Sequence, residues 1–344
     1  MTSRKSAKDH GTHVREKITL EFKRNALLPA LAGGHNRHFV RLEQKFGVRI
    51  ASRGNLVSVE GGNPGREQTA DILRSLYARL EAGDDVGPAD VDAEIRFAQR
   101  RGDEGSGANG AVSIKTFSNR VTRARTEAQA TYLDAMRNND LVFGIGPAGT
   151  GKTYLAAAYG AHLLYERRIE RLILSRPALE AGERLGFLPG DLREKIDPYL
   201  RPLYDALFEV VGEQWVKLME SGVIEVAPLA FMRGRTLSRA FVILDEAQNC
   251  SHAQMKMFLT RLGDDSRMVV TGDPSQSDLP EGPVGLTEAV ECLRGVEGVG
   301  IAEFSESDVV RHALVTRIIG AYNARQKTAP PNRGGFPRGA GKRP

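Results

Sequence analysis

The sequence predicts an α/β protein: a parallel sheet with helices on both faces, preceded by a small α+β domain. Three observations carry this reading. Short apolar segments alternate with helical patterns from about Val112 onward, as in strands buried on both faces. The stretch Gly146–Thr153 joins one such strand to a helix. An alternating segment and a glycine-turned hairpin stand apart near the N-terminus.

Residues 1–15 are polar and read as flexible. The small domain is expected over 16–80. It starts with the alternating Ile18–Thr19–Leu20–Glu21–Phe22, turns at Gly33–Gly34, and continues as a helix through Phe39, Leu42, Glu43 and Phe46 that Gly47 closes. Val48 and Ile50 begin a strand, Arg53–Gly54–Asn55 turns it, and Leu56, Val57 and Val59 return it. Ala70, Leu73, Leu76, Tyr77 and Leu80 then recur at helical spacing. Residues 81–111 read as a linker, glycine-rich over 102–110. The larger domain spans 112–325. Its first helix carries Thr126, Gln129, Tyr132, Leu133 and Met136, and its strands are expected at Leu141–Ile145, Arg171–Leu174, Ala240–Leu244, Met268–Val270 and Ile301–Phe304.

Charge and composition narrow the function classes. No apolar run approaches the roughly 20 residues needed to span a bilayer, so no membrane role and a cytoplasmic location are expected. Two cysteines, Cys250 and Cys292, make neither a disulfide framework nor a metal spacing and read as buried or half-buried thiols. The net charge of +5 is local: Arg325, Lys327, Arg333, Arg338, Lys342 and Arg343 fall in the last twenty residues, and the remainder holds 42 basic against 43 acidic residues. That Pro/Gly-rich end, 326–344, reads as a disordered basic tail, suited either to weak phosphate-backbone contact or to solubility alone.

Gly146–Pro147–Ala148–Gly149–Thr150–Gly151–Lys152–Thr153 matches G-x-x-x-x-G-K-[ST] in the strand-to-helix context that the pattern requires. Glycines let successive amide N–H groups converge on phosphate oxygens, and the helix N-terminus adds its positive dipole end. Lys152 is expected to reach the β and γ phosphates of ATP and the Thr153 hydroxyl to ligate Mg²⁺. Phe241–Leu244 delivers Asp245 and Glu246 at the carboxyl end of a strand, where open α/β sheets place ligands. Asp245 is the candidate for holding Mg²⁺, directly or through water; Glu246 is the candidate general base. Alone, such a pair would equally cap a helix. Gln276, after Thr271–Gly272–Asp273–Pro274–Ser275, is the candidate sensor of the γ phosphate or the attacking water, with Asp273 braced behind it; the same residues also suit a plain turn.

These motifs, with Arg176–Pro177–Ala178–Leu179–Glu180–Ala181–Gly182–Glu183 running on to Gly190, Ala227–Thr236, Leu244–Asn249, Thr271–Asp278 and Asp308–His312, resemble the PhoH family of ATPases over about 15–325. The resemblance implies a domain like the motor core of superfamily 1 helicases. It implies that Gln129 recognises adenine and that Arg311 resembles the arginine of the last helicase-like motif. The Gly33–Gly34–His35–Asn36 turn and its helix are similar to half of a KH-like nucleic-acid fold, although adjacent glycines replace the G-x-x-G loop.

Glu246 and Gln276 suit a water nucleophile better than a phosphoacceptor, which disfavours a small-molecule kinase. The expected function is Mg²⁺-dependent ATP hydrolysis coupled to RNA or ribonucleoprotein remodelling. The alternative is a nucleotide-gated module that binds a protein partner without moving a strand. Fewer than 70 residues follow Gln276, too few for a second motor lobe. Movement along single-stranded RNA would therefore need neighbouring subunits, and a closed homo-oligomer, a hexameric ring, is expected, with Arg311 completing the site of the next subunit; a place in its own site, or a salt bridge to Asp308, is the alternative.

Overall fold

The computed structural model describes residues 16–101, 113–117, 121–177, 192–276, 285–309 and 318. The expected flexible ends, the stretch from Ala178 to Gly190, and Arg311 and His312 lie outside the described residues.

The N-terminal unit runs β1 (Lys17–Glu21), α1 (Leu28–Ala32), α2 (Arg37–Phe46), β2 (Arg49–Arg53), β3 (Leu56–Glu60), α3 (Gly65–Glu81) and α4 (Pro88–Arg101). Its antiparallel sheet has the order β1-β3-β2. The predicted hairpin pairs Arg53 with Leu56 across a two-residue turn, with Gly54 at φ 62°. Gly47 ends α2 in the left-handed conformation and donates its N–H to the Glu43 carbonyl. Leu31, Leu42, Leu73 and Leu76 are completely buried beneath the sheet. Phe22 and Tyr77 stack there with ring centroids 4.3 Å apart.

Helix α4 corrects the expectation of a linker over 81–111. Val91 and Ile95, four residues apart, pack into the same core as Leu73 and Leu76, while Asp90, Asp92, Glu94 and Arg96 surround them. So narrow a buried stripe is weak as a sequence pattern, and tertiary packing decides the helix.

The larger domain continues with the short hairpin β4 (Ser113–Lys115) and β5 (Val121–Arg123), α5 (Glu127–Asn138), β6 (Leu141–Ile145), α6 (Lys152–Tyr165), β7 (Arg171–Arg176), α7 (Leu192–Val211), α8 (Trp215–Glu220), β8 (Ile224–Pro228), β9 (Ala240–Leu244), α9 (His252–Leu259), β10 (Arg267–Gly272), α10 (Gly285–Leu293) and β11 (Val299–Glu303). The six-stranded sheet has the order β11-β6-β10-β9-β7-β8, with every pairing parallel. Each predicted strand is present. The prediction omits β8, an edge strand whose three central residues are only half-buried, and the β4–β5 hairpin.

Alternation along the strands explains the two-sided burial. Val142, Leu172, Leu174, Phe241 and Ile243 face the core under α5, α6 and α7. Phe143, Ile173, Val242, Leu244 and Val270 face the core under α9 and α10. Both faces are apolar because both are covered. Leu200, Leu203, Leu207 and Val210 of α7 all join the first of these cores. Cys250 is buried, and burial pushes its thiol up to about 12. Cys292 is exposed, which corrects the expectation of a buried or half-buried thiol at that position.

Candidate triphosphate site

The P-loop connects β6 to α6 at the carboxyl edge of the sheet. Its first glycine is required by space as well as by conformation: Gly146 has φ 140°, and a Cβ there would lie 2.3 Å from the Phe304 carbonyl oxygen. Thr150 is buried and its hydroxyl donates to the Pro147 carbonyl at 3.0 Å, which folds the loop onto itself. Gly151 caps α6 at φ 83°, in the left-handed region.

Lys152 opens α6. Its Nζ donates to the carbonyls of Gly146 at 2.6 Å and Pro147 at 2.8 Å. Burial lowers its pKa, and the carboxylates of Asp273, Asp245 and Glu246 pull the other way. Charged groups from three stretches that lie far apart in sequence thus converge on one field.

Asp245 closes β9 and is buried. One of its oxygens, Oδ1, accepts from the Thr153 hydroxyl at 2.6 Å and from the Thr271 hydroxyl at 2.7 Å. A hydroxyl and a carboxylate in direct contact beside a phosphate-binding loop are oxygen ligands of the kind that would hold Mg²⁺, which would supply charge neutralisation to the phosphates. The predicted metal residues Thr153 and Asp245 therefore fit the ion.

Glu246 adopts the left-handed conformation, φ 52°, which turns its side chain away from the continuation of β9. Arg176 Nη2 lies 3.1 Å from one carboxylate oxygen, and Gln248 Nε2 donates to the other at 2.5 Å. Gln248 is buried, and its own Oε1 accepts from the Asp273 N–H. Asp273 in turn accepts from Gln276 Nε2 at 2.7 Å and from the Ser275 hydroxyl at 2.7 Å. The predicted bracing of Gln276 by Asp273 is thus a direct hydrogen bond. Ala148, Gly149, Gly151, Lys152, Thr153, Asp245, Glu246 and Gln276 line one cavity of about 240 Å³.

Gln129 sits beside this cavity with both ends of its amide engaged: Oε1 accepts from the Arg125 N–H at 2.6 Å, and Nε2 donates to the Thr150 carbonyl at 2.9 Å. It ties the start of α5 to the P-loop and lines a neighbouring cleft. Three participants lacked a sequence prediction of their role: Arg176, Gln248 and Thr271. The available signal was position, since Arg176 and Thr271 fall at the carboxyl ends of β7 and β10, where parallel sheets gather their ligands.

Fold and site together define a P-loop nucleoside triphosphatase: a parallel sheet, a phosphate loop between a strand and a helix, and acidic groups at the ends of neighbouring strands. The PhoH-like protein family model matches residues 121–323. A PhoH-like protein of Bacillus subtilis is 49% identical over 297 residues, 86% of this chain and 93% of the relative. One from Mycobacterium tuberculosis is 47% identical over 298 residues, 86% of this chain and 85% of the relative. Among solved structures, a Sulfolobus solfataricus SWI2/SNF2 ATPase core in complex with dsDNA aligns at 15% identity and a TM-score of 0.33, covering 52% of this chain and 44% of that one. The chain belongs to the PhoH family.

Proposed function

We propose that this protein hydrolyses ATP with Mg²⁺ and couples hydrolysis to remodelling of RNA or of a ribonucleoprotein. The observation that carries hydrolysis is the convergence of Lys152, Thr153, Asp245, Glu246 and Gln276 on one cavity. Bound Mg²⁺ supplies charge neutralisation between the phosphates. Lys152 exchanges the loop carbonyls for phosphate oxygens. Thr153 and Asp245 hold the ion, and Thr271 keeps the Asp245 carboxylate turned toward it. Glu246, held from both sides by Arg176 and Gln248, takes a proton from water, and Gln276 orients that water or the γ phosphate.

The polynucleotide half of the reading draws support from the sheet's carboxyl edge. Phe231 is 52% exposed, and Arg233 is exposed two residues on, both just beyond β8. An exposed aromatic beside a guanidinium suits base stacking and phosphate contact in single strands. Arg235, two residues further on, is bound through both Nη atoms to Glu225, at 2.6 and 2.8 Å. That pair lowers the Glu225 pKa and raises that of Arg235, chiefly through the hydrogen bond between them. A cytoplasmic ring in which Arg311 reaches the neighbouring site completes the proposal.

The test is ATP turnover with and without single-stranded RNA, with single-stranded DNA as control. Several-fold stimulation by RNA supports the reading, and its loss in a Phe231→Ala, Arg233→Glu variant localises the path. If RNA neither binds nor stimulates, the partner-gated module replaces it.

A further inference from the structure

We propose that Arg176 is a positioning residue that clamps the Glu246 carboxylate to α7, so that the seating of α7 sets when Glu246 is free to act on water. The inference rests on the reading of Glu246 as the general base and adds what restrains it.

The first argument is geometric. Arg176 ends β7 and alternates with Leu172 and Leu174, whose side chains enter the core under α6 and α7. Its guanidinium spans two elements: Nη2 lies 3.1 Å from Glu246 Oε1, and Nη1 donates to the Tyr199 carbonyl of α7 at 3.2 Å. A rigid fork keeps these two contacts in fixed relation, which an ammonium on a flexible stem does not. Moving Tyr199 therefore moves the group that holds the base.

The second is the state of α7 at that point. Carbonyls inside a helix ordinarily accept from the N–H four residues on. Pro202 stands inside α7 and is exposed; it has no N–H for the carbonyl four residues back, and a proline ring pushes that turn open. The carbonyl that Arg176 uses, that of Tyr199, belongs to this turn. The helix thus offers the site a better acceptor than an unbroken helix would.

The third is the contrast between the two arms on Glu246. Gln248, which holds Oε2, is buried and fixed by the Asp273 N–H, so that arm has little freedom. Arg176 is half-buried and anchored on a helix that packs beside β8, the strand whose exit carries the exposed Phe231 and Arg233. Proton uptake removes the negative charge that the guanidinium pairs with, so the ion pair opposes that step. A ligand at the end of β8 that shifts α7 loosens the movable arm and lifts the opposition.

The experiment is steady-state ATP turnover by the full chain, resolved into kcat and KM, in a double-substitution cycle. Arg176→Gln removes the ion pair, and Pro202→Ala returns an N–H to α7 at an exposed position where no packing is lost. Arg176→Gln is expected to raise kcat about tenfold, the worth of a hydrogen bond to a charged group, with KM unchanged. Pro202→Ala should raise kcat several-fold in the parent and have no effect in the Arg176→Gln background. Arg176→Lys, which keeps the charge and loses the fork, should be equally insensitive to Pro202→Ala, and it carries the comparison if Arg176→Gln does not fold. An unchanged or lower kcat in folded Arg176→Gln, or a Pro202→Ala effect that is absent from the parent or equal in both backgrounds, would overturn the proposal. The gain must also vanish when Glu246→Gln is added: a gain that survives would overturn the clamp, whereas parental turnover by Glu246→Gln alone would overturn the base assignment itself.

Discussion

Replacing Glu246 with Gln isolates hydrolysis from binding, because the environment of that carboxylate is specified on both sides. A glutamine has one oxygen where glutamate has two. It can accept from Arg176 or from Gln248, and in either arrangement its amide nitrogen faces the other donor. Gln248 cannot relieve the clash by flipping without breaking its bond from the Asp273 N–H. The nominal cost is one hydrogen bond to a charged group, about 1.5–3 kcal/mol. The Glu246 side chain is 38% exposed, so water takes up the stranded donor and the stability loss should fall below about 1 kcal/mol. Turnover loses its base, for which about 10²-fold or more is expected. The assay pairs steady-state phosphate release with equilibrium ATP binding and thermal unfolding. Turnover within about threefold of the parent would refute the base assignment, since it leaves no room for a transition-state role. Loss of ATP binding would refute the division between holding and hydrolysing.

Three further outcomes are expected, two from the same geometry and one, at Arg311, from the proposed function. Thr271→Val removes the second hydroxyl on Asp245 Oδ1 without touching the P-loop and should raise the Mg²⁺ requirement by about tenfold or more, read as the Mg²⁺ dependence of turnover at saturating ATP. Burial holds Lys152 below the ordinary value of 10.5, so the folded protein releases this proton more readily than the unfolded chain. Its contribution disfavours folding below the lowered pKa and fades as pH rises toward 10.5, while triphosphate affinity falls over the same window because only the ammonium form binds; a Lys152→Met variant whose stability and nucleotide affinity show the same alkaline dependence as the parent would contradict this. Arg311→Ala should bind ATP nearly normally and hydrolyse it about 10³-fold more slowly, with partial recovery on mixing with Lys152→Ala subunits; no recovery despite demonstrated subunit exchange would exclude action across an interface.

What the sequence determined by itself is the set of features that are local. The P-loop announces itself because its backbone demands glycines at Gly146 and Gly151 and a lysine and hydroxyl in fixed order, all within one turn and one helix start. The buried strands are equally plain: Phe241–Leu244 is apolar on both faces because both faces are covered. Asp245 and Glu246 follow from their place at the end of that strand. Helix α2 is legible to its last residue, since Gly47 supplies the left-handed stop.

Only the tertiary structure decided the remainder, because it depends on which distant segments meet. Helix α4 exists through the burial of Val91 and Ile95 against the N-terminal core, a contact that its own polar surroundings conceal. Strand β8 pairs on one side only and so lacks the apolar signature of its neighbours. The roles of Arg176, Gln248 and Thr271 arise from the order β10-β9-β7, which places the ends of three strands side by side. Parallel strands bring together carboxyl ends that the chain separates by whole helices, and no local pattern records which side chains will then lie within a hydrogen bond of one another.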